Sequence, residues 1–395
     1  TPMKIPTPAF SVPAVVLALL AAVPSAAAAT PARSPAASVR NPAASVRQPA
    51  APVQPSQGKV IVDTDMGQLN DDAIAMFMLH NAAPRNLLGV TVVAGNTWAE
   101  EGTAYALRQL ELIGERHVPV VMGAPEPLNA ARAQQLPAEE KLFGNVEYMG
   151  AFGHKRPPSY LQLANAPYGG YPKAKPSPMA AADFIVQQVK KYPGQVTLFV
   201  LGPATNVALA VKTHPEIVPL VKEVIYMGGA IDIPGNTSPA AEFNWWFDPQ
   251  AIKMALRTPF KRQTIVPNDI AERVFYTKKE YDRIVAGPQT PLKKMFKDLH
   301  GPRFDRNPQS SSFVWDSLTA AIYLQPSIAT KVEERFIDVD DTYGPDYGRA
   351  IGYTESRRRS FSDPGNFPAG TQKVRILFDI NRDAFWNLYI DLMRR

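Results

Sequence analysis

Cysteine is absent from the 395-residue chain, so no disulfide staples it and no thiolate chemistry operates in it. The absence does not choose a compartment, since exported and cytosolic proteins alike can lack the residue. Acidic residues are missing ahead of Asp63, and Phe10 is the one aromatic in residues 1–57. Of the formal net charge of +6, five units come from Lys4, Arg33, Arg40, Arg47 and Lys59, which leaves +1 for the rest of the chain. The basic balance therefore belongs to the front end. The remainder has no charge excess to serve as a phosphate footprint, which argues against a nucleic-acid partner.

What the front end does contain is ordered by composition. Lys4, the apolar run 12–22 and the small residues Ser25-Ala26-Ala27-Ala28-Ala29 form the charged, hydrophobic and cleavage regions of a signal peptide over residues 1–29. The run is short for a membrane span and is interrupted by Pro13. The expectation is a secreted or periplasmic protein with no stable membrane insertion after cleavage. Residues 30–57 repeat a Pro-Ala-Ala unit from Pro35, Pro42 and Pro49. Such a tract cannot bury enough apolar surface to offset its chain entropy and reads as a disordered linker. One catalytic domain is expected over 58–395.

There, β-type runs at 87–93, 118–122, 196–201, 223–227 and 263–266 alternate with helical or loop segments. This predicts a single-domain α/β fold, an open, mostly parallel sheet flanked by helices. Two stretches, 124–178 and 287–312, break the rhythm and read as irregular. The first, with Phe143, Tyr148, Phe152, Tyr160 and Tyr168, reads as a lid. Lys293, Lys294 and Lys297 read as a solvated basic face.

The densest chemistry is Lys59-Val60-Ile61-Val62-Asp63-Thr64-Asp65-Met66-Gly67-Gln68-Leu69-Asn70-Asp71-Asp72, with four aspartates in ten positions. They fall between a buried strand and a helix, at the carboxyl edge of the sheet where open α/β folds bind ligands. Four carboxylates there repel one another unless a cation, a shared proton or water compensates them. Oxygen ligands favour Ca²⁺ or Mg²⁺ over zinc. Read on its own, the motif also accommodates helix capping by Asp71-Asp72 or the nucleophile of a haloacid-dehalogenase-like phosphatase.

Further segments carry matching residue types: Gly95-Asn96-Thr97, Leu201-Gly202-Pro203-Ala204-Thr205-Asn206, Met227-Gly228-Gly229-Ala230, Gly235-Asn236, Ala241-Glu242-Phe243-Asn244 and Trp315-Asp316-Ser317. As a set, over nearly all of 58–395, they resemble the nucleoside hydrolase family, which implies a Rossmann-like core and hydrolysis of the N-glycosidic bond of ribonucleosides around Ca²⁺. The resemblance implies that Asp65, Asp72, Asp316 and the Leu201 carbonyl ligate the metal. It makes Asp65 also the base for a metal-bound water that attacks through an oxocarbenium-like transition state, with Asp316 as a second catalytic position. Asp71, Asn96, Met227, Asn236, Glu242 and Asn244 would hold the sugar, and Asp63 would support the loop. The implied partner is a small-molecule ribonucleoside, and a homodimer or homotetramer stays open. A non-catalytic ribose-binding protein is the alternative from outside enzymology.

Two departures stand out. Five residues separate Asp65 from Asp71 where the family pattern usually has three. Trp315 stands where the purine-and-pyrimidine-cleaving branch usually has histidine, which resembles the purine-preferring branch and implies a stacking contact with the base. His154 and His300, in the two irregular stretches, are the candidate acids for the leaving base.

Overall fold

Strands buried on both faces read as continuous apolar runs, and they form the centre of this molecule. The structure is a computed structural model that describes residues 58–144, 146, 148–353 and 367–395. The expected signal peptide and linker lie outside the described residues. The strands are β1 (Lys59–Thr64), β2 (Leu87–Val92), β3 (Val120–Met122), β4 (Val196–Val200), β5 (Glu223–Met227), β6 (Gln263–Val266), β7 (Phe275–Tyr276), β8 (Ser312–Phe313), β9 (Ala329–Val339), β10 (Ala350–Tyr353) and β11 (Gln372–Ile380). Nine of them make one sheet in the order β10-β9-β11-β6-β5-β4-β1-β2-β3, and β7 pairs with β8 apart from it. From β3 to β11 all neighbours are parallel, while β9 runs antiparallel to both β11 and β10. The expected α/β class and mostly parallel sheet are observed.

Read from β3, the order β3-β2-β1-β4-β5-β6 is that of a doubly wound sheet, with its switch point between β1 and β4. Ligands bind at the carboxyl ends of the strands there. Alternate residues of the central strands feed two cores: Val60, Val62, Phe199 and Ile225 on one side, Ile61, Leu198, Val200 and Val224 on the other. Asn206 joins three strand ends at the switch point. Its Nδ2 donates to Asp63 Oδ1 (2.8 Å) and to the Val92 carbonyl (3.1 Å), and its Oδ1 accepts from the Ala124 amide (2.8 Å). Asn206→Ala strands these buried partners and is expected to lower stability by about 2–4 kcal/mol. Urea unfolding checks this, and a loss under about 0.5 kcal/mol would contradict it.

Helix α1 (Asp71–Ala82) is buried from Asp72 through His80. It packs against the helix Ser317–Leu324 and the C-terminal helix Arg382–Met393, so apolar side chains surround it as they must for a fully enclosed helix. That packing brings Asp316, which immediately precedes Ser317, beside Asp71 and Asp72.

The stretch 287–312 differs from its irregular reading: it contains the helices Pro291–Leu299 and Gly301–Arg306. Pro291 and Pro302 sit in the first turns, where proline is tolerated, and Thr290 caps the first helix by accepting from the Lys293 amide at 3.2 Å. Lys293 is not solvated. It is 3% exposed, and its Nζ donates to the Ala286 and Pro288 carbonyls. Residues 124–178 hold the helix Arg132–Phe143 and a short 3₁₀ turn at Gly150–Gly153. No helix among the described residues is long and apolar enough to cross a membrane.

Candidate active site

The turn from β1 into α1 delivers the opening aspartates to the carboxyl edge of the sheet. Asp63 faces inward as a support: its Oδ1 accepts from Thr91 Oγ1 (2.5 Å) and Asn206 Nδ2 (2.8 Å). Burial pushes its carboxyl up to about 7 although those donors oppose the shift. Asp65 Oδ2 accepts from the Asn96 amide at 2.6 Å, and its Oδ1, fully buried, meets no donor among the described residues. Glycine at 202 is required by this approach, because a Cβ there would stand 2.8 Å from the Asp65 carboxylate.

Four carboxylates then touch in series. Asp65 lies within hydrogen-bonding reach of Asp72, Asp72 of Asp316, and Asp316 of Asp71. Thr64 Oγ1 and Asn70 Nδ2 (2.7 Å) donate to the two oxygens of Asp72. Asp316 Oδ1 is buried and meets no donor among the described residues. Burial is the first cause that raises all four; repulsion from neighbouring carboxylates adds to it for Asp65, Asp71 and Asp316, whereas the hydrogen bonds around Asp72 oppose its rise, so that Asp71 reaches about 7 and Asp65 and Asp316 stand well above the usual carboxylate range. The tightest trio is Asp71, Asp72 and Asp316, each offering an oxygen within 4.8 Å of the others. Asp71, expected only as a sugar contact, is thus part of the acidic centre, and Asp65 reaches it through Asp72. Unpartnered buried oxygens with no nitrogen or sulfur ligand among them suit a hard divalent cation.

Above this floor opens a cavity of about 550 Å³. Asp71, Asn96, Leu201, Met227, Asn236, Glu242, Asn244, Trp315 and Asp316 all line it. Asp65 and Asp72 lie beneath, fully buried. Asn244 Nδ2 donates to the Leu201 (2.8 Å) and Met227 (3.1 Å) carbonyls. Two acceptors fix the orientation of that amide, and Oδ1 is left buried with no donor among the described residues. The Leu201 carbonyl keeps a second lone pair.

Glu242 does more than its sequence context suggested. It caps the short helix Phe243–Phe247: Oε1 accepts from the Asn244 amide (2.9 Å), and Oε2 from the amides of Gly229 (2.9 Å) and Trp245 (3.2 Å). Burial raises it to about 7 against these donors. Asn236 is also internally engaged, with Oδ1 accepting from the Phe243 amide at 3.0 Å and its side chain bonded to Glu272.

Trp315 is half-buried in the wall beside Phe313, with ring centroids 5.3 Å apart and planes at 76°. Its φ of +22° is rare for a bulky residue, and its Nε1 finds no acceptor among the described residues. Neither candidate acid is free in the cavity. His154 is paired with Glu101 at 2.8 Å and does not line it. His300 lies in an adjoining 220 Å³ cavity, with Nε2 on the Leu69 carbonyl (2.9 Å) and Nδ1 on the Tyr276 hydroxyl (3.1 Å). Burial lowers it to about 4, so it is neutral at pH 7.

Sequence reading missed Tyr148, Phe243, Glu272 and Phe313, all in the lining. Tyr148 hydroxyl donates to Asn96 Oδ1 at 2.8 Å. The aromatic content of 124–178 was its one signal.

The chain matches the family model described as inosine-uridine preferring nucleoside hydrolase over residues 60–387. It is 35% identical over 198 residues to a probable uridine nucleosidase 1 of Oryza sativa subsp. japonica, covering 50% of this chain and 55% of that protein. The chain thus spans about half the length of the rice relative. With the pyrimidine-specific ribonucleoside hydrolase RihB of Escherichia coli O1:K1 / APEC it shares 27% identity over 349 residues, 85% of this chain and 97% of the relative. A solved structure of a plant nucleoside hydrolase, PpNRh1, superposes with a TM-score of 0.69 at 23% identity, over 86% of this chain and 99% of that one. That last likeness speaks for the fold.

Proposed function

The chain belongs to the inosine-uridine preferring nucleoside hydrolase family, and from that premise we propose that it hydrolyses the N-glycosidic bond of ribonucleosides to free base and ribose. The observation that carries the reading is the series of four touching carboxylates at the floor of a cavity of nucleoside size, with Asp65, Asp316 and Asn244 oxygens left without donors among the described residues.

Asp65, Asp72, Asp316 and the Leu201 carbonyl would hold a divalent cation, for which Ca²⁺ is the proposed identity, and its charge would offset the carboxylates and acidify water at the site. Asp65 takes a proton from the water that attacks the anomeric carbon. The C–N bond breaks with its electron pair leaving on the base, which takes up a proton in turn. Positive charge grows on the sugar, and the surrounding carboxylates and amide oxygens stabilise it. Asp71 and the unpartnered Asn244 Oδ1 accept from ribose hydroxyls, while Asn96, Met227, Asn236 and Glu242 shape the rest of the sugar site.

The dehalogenase-type alternative needs the first aspartate of D-x-D as nucleophile. Asp63 does not line the cavity and is engaged by Thr91 and Asn206, which favours hydrolysis of the riboside instead. The leader composition supports export to a secreted or periplasmic site, in a role of nucleoside salvage.

Purine preference is part of the proposal. It rests on Trp315 and Phe313 as a stacking wall, and it stands against the uridine and pyrimidine named in the two relatives. A purine can accept a proton at N7 as it leaves, so stacking without a side-chain acid suffices better for it. Trp315→Ala is expected to lower kcat/KM for inosine by about 10- to 100-fold, the value of one base stack. Steady-state kinetics on inosine and uridine test this. A wild-type kcat/KM for uridine above that for inosine would contradict it.

A further inference from the structure

The five residues between Asp65 and Asp71 form a loop whose shape depends on Leu69. Leu69 is 1% exposed and has φ of +49°, in the left-handed region that a residue with a Cβ disfavours. Both faces of its backbone are gripped by side chains from remote elements. Its amide donates to Gln109 Oε1 at 2.7 Å, and its carbonyl accepts from His300 Nε2 at 2.9 Å. Gln109 belongs to the helix Ala99–Leu112 and is 3% exposed. Its Nε2 also donates to the Gly67 carbonyl (3.2 Å) in the same loop and to the Tyr105 carbonyl (3.1 Å) in its own helix. His300 follows the helix Pro291–Leu299. With Nε2 donating to Leu69, Nδ1 accepts from the Tyr276 hydroxyl, which fixes the ring and its tautomer.

The next residue passes the constraint on. Asn70 Oδ1 accepts from the Gly67 (3.1 Å) and Ala73 (3.2 Å) amides and so caps α1. Its Nδ2 donates to Asp72 Oδ2 at 2.7 Å. Leu69 thereby sets where Asn70 caps the helix, and Asn70 sets the carboxylate of Asp72.

We propose that Gln109 and His300 are positioning residues that clamp Leu69 and through it fix Asp71 and Asp72 for the cation and the ribose. The inference rests on the functional reading above. The clamp is what makes the longer Asp65–Asp71 loop as definite as a shorter one.

The test titrates Ca²⁺ into chelator-stripped protein by calorimetry and measures kcat and KM for inosine, for wild type, Gln109→Leu, His300→Phe and His300→Gln. The two apolar variants are expected to weaken Ca²⁺ binding by about 10- to 100-fold, as loss of an outer partner of a metal ligand does, and to raise KM more than they lower kcat at saturating Ca²⁺. His300→Gln retains a donor for the Leu69 carbonyl and is expected to recover most of the affinity. If His300→Phe does not fold, His300→Asn, too short to reach Leu69, replaces it with the same expectation. Ca²⁺ affinity and KM within about twofold of wild type, with only Tm lowered, would overturn the clamp. A wild type that binds Ca²⁺ but cleaves no ribonucleoside overturns the functional reading, and the Ca²⁺ titration still decides the clamp. A wild type that binds no Ca²⁺ overturns both.

Discussion

Asp65→Asn is expected to lower kcat by about 10³-fold or more while raising the thermal stability of the calcium-free protein. The loss combines a general base, worth about 10² to 10⁴, with one ligand of the cation. The gain follows from the same geometry. Asp65 is fully buried and within hydrogen-bonding reach of Asp72, and burial and that neighbour disfavour its charged form. Asparagine has the same shape: its oxygen can keep the Asn96 amide that Asp65 Oδ2 now accepts at 2.6 Å. Its Nδ2 then donates toward Asp72 where two acceptors had faced each other. Calorimetry in chelator is expected to show Tm up by about 2–5 °C. A variant that loses Tm and activity together would make Asp65 a structural residue, and one with full activity would remove it from proton transfer.

The second large effect is a stability that depends on pH most strongly while the cation is withheld. Burial pushes Asp63 and Asp71 up to about 7 in the folded chain, and Asp65 and Asp316 stand well above the usual carboxylate range. Between the unfolded and folded values the native state therefore binds more protons than the unfolded one. The sign follows: this contribution is fully present below the unfolded pKa and is lost as pH rises through about 7 and beyond. In chelator, Tm is expected to fall between pH 5 and pH 8. Saturating Ca²⁺ reverses the fall, since at 100 times its Kd a ligand adds about 2.7 kcal/mol. The gap in Tm between calcium and chelator is thus wider at pH 8 than at pH 5. His300, lowered to about 4 by burial, acts in the opposite sense: its contribution is full above the unfolded pKa and is lost as pH falls through that window. His300→Gln in chelator removes that opposing rise, so it steepens the fall of Tm on the acid side, below the ordinary histidine value of 6.5, and leaves the slope above it unchanged. Equal calcium-induced shifts at both pH values would contradict the linkage.

Much of this was legible in local patterns. Strands β1, β5 and β6 announce themselves as apolar runs because parallel strands are buried on both faces, and Asp63 to Asp72 are informative because no surface turn needs four carboxylates. Asp316 is different. It meets Asp72 across 244 positions through helix packing, so only the resemblance of Trp315-Asp316-Ser317 to a family motif pointed to it. Strand β9 escaped because Lys331 and Glu334 are exposed and Glu333 is half-buried, which gives its first half a charged rather than apolar pattern. The helices in 287–312 escaped because prolines that start helices look like those that interrupt chains. Gln109 and Glu272 carry no signal at all. A glutamine inside an amphipathic helix reads as surface until the loop 40 residues earlier is seen to need its amide. Glu242 was found for the sugar, yet its three amide donors show that the same carboxylate builds the helix beside it.

The central claim is that this chain uses its four carboxylates, around a cation, to release ribose from ribonucleosides. The most direct measurement incubates the protein with inosine and assays free ribose as reducing sugar, in calcium and after exhaustive chelation. The account predicts ribose and hypoxanthine in equal amounts with calcium and a loss of release on chelation that calcium restores. Release of ribose that chelation leaves unchanged, or no release from any ribonucleoside in calcium, would contradict it.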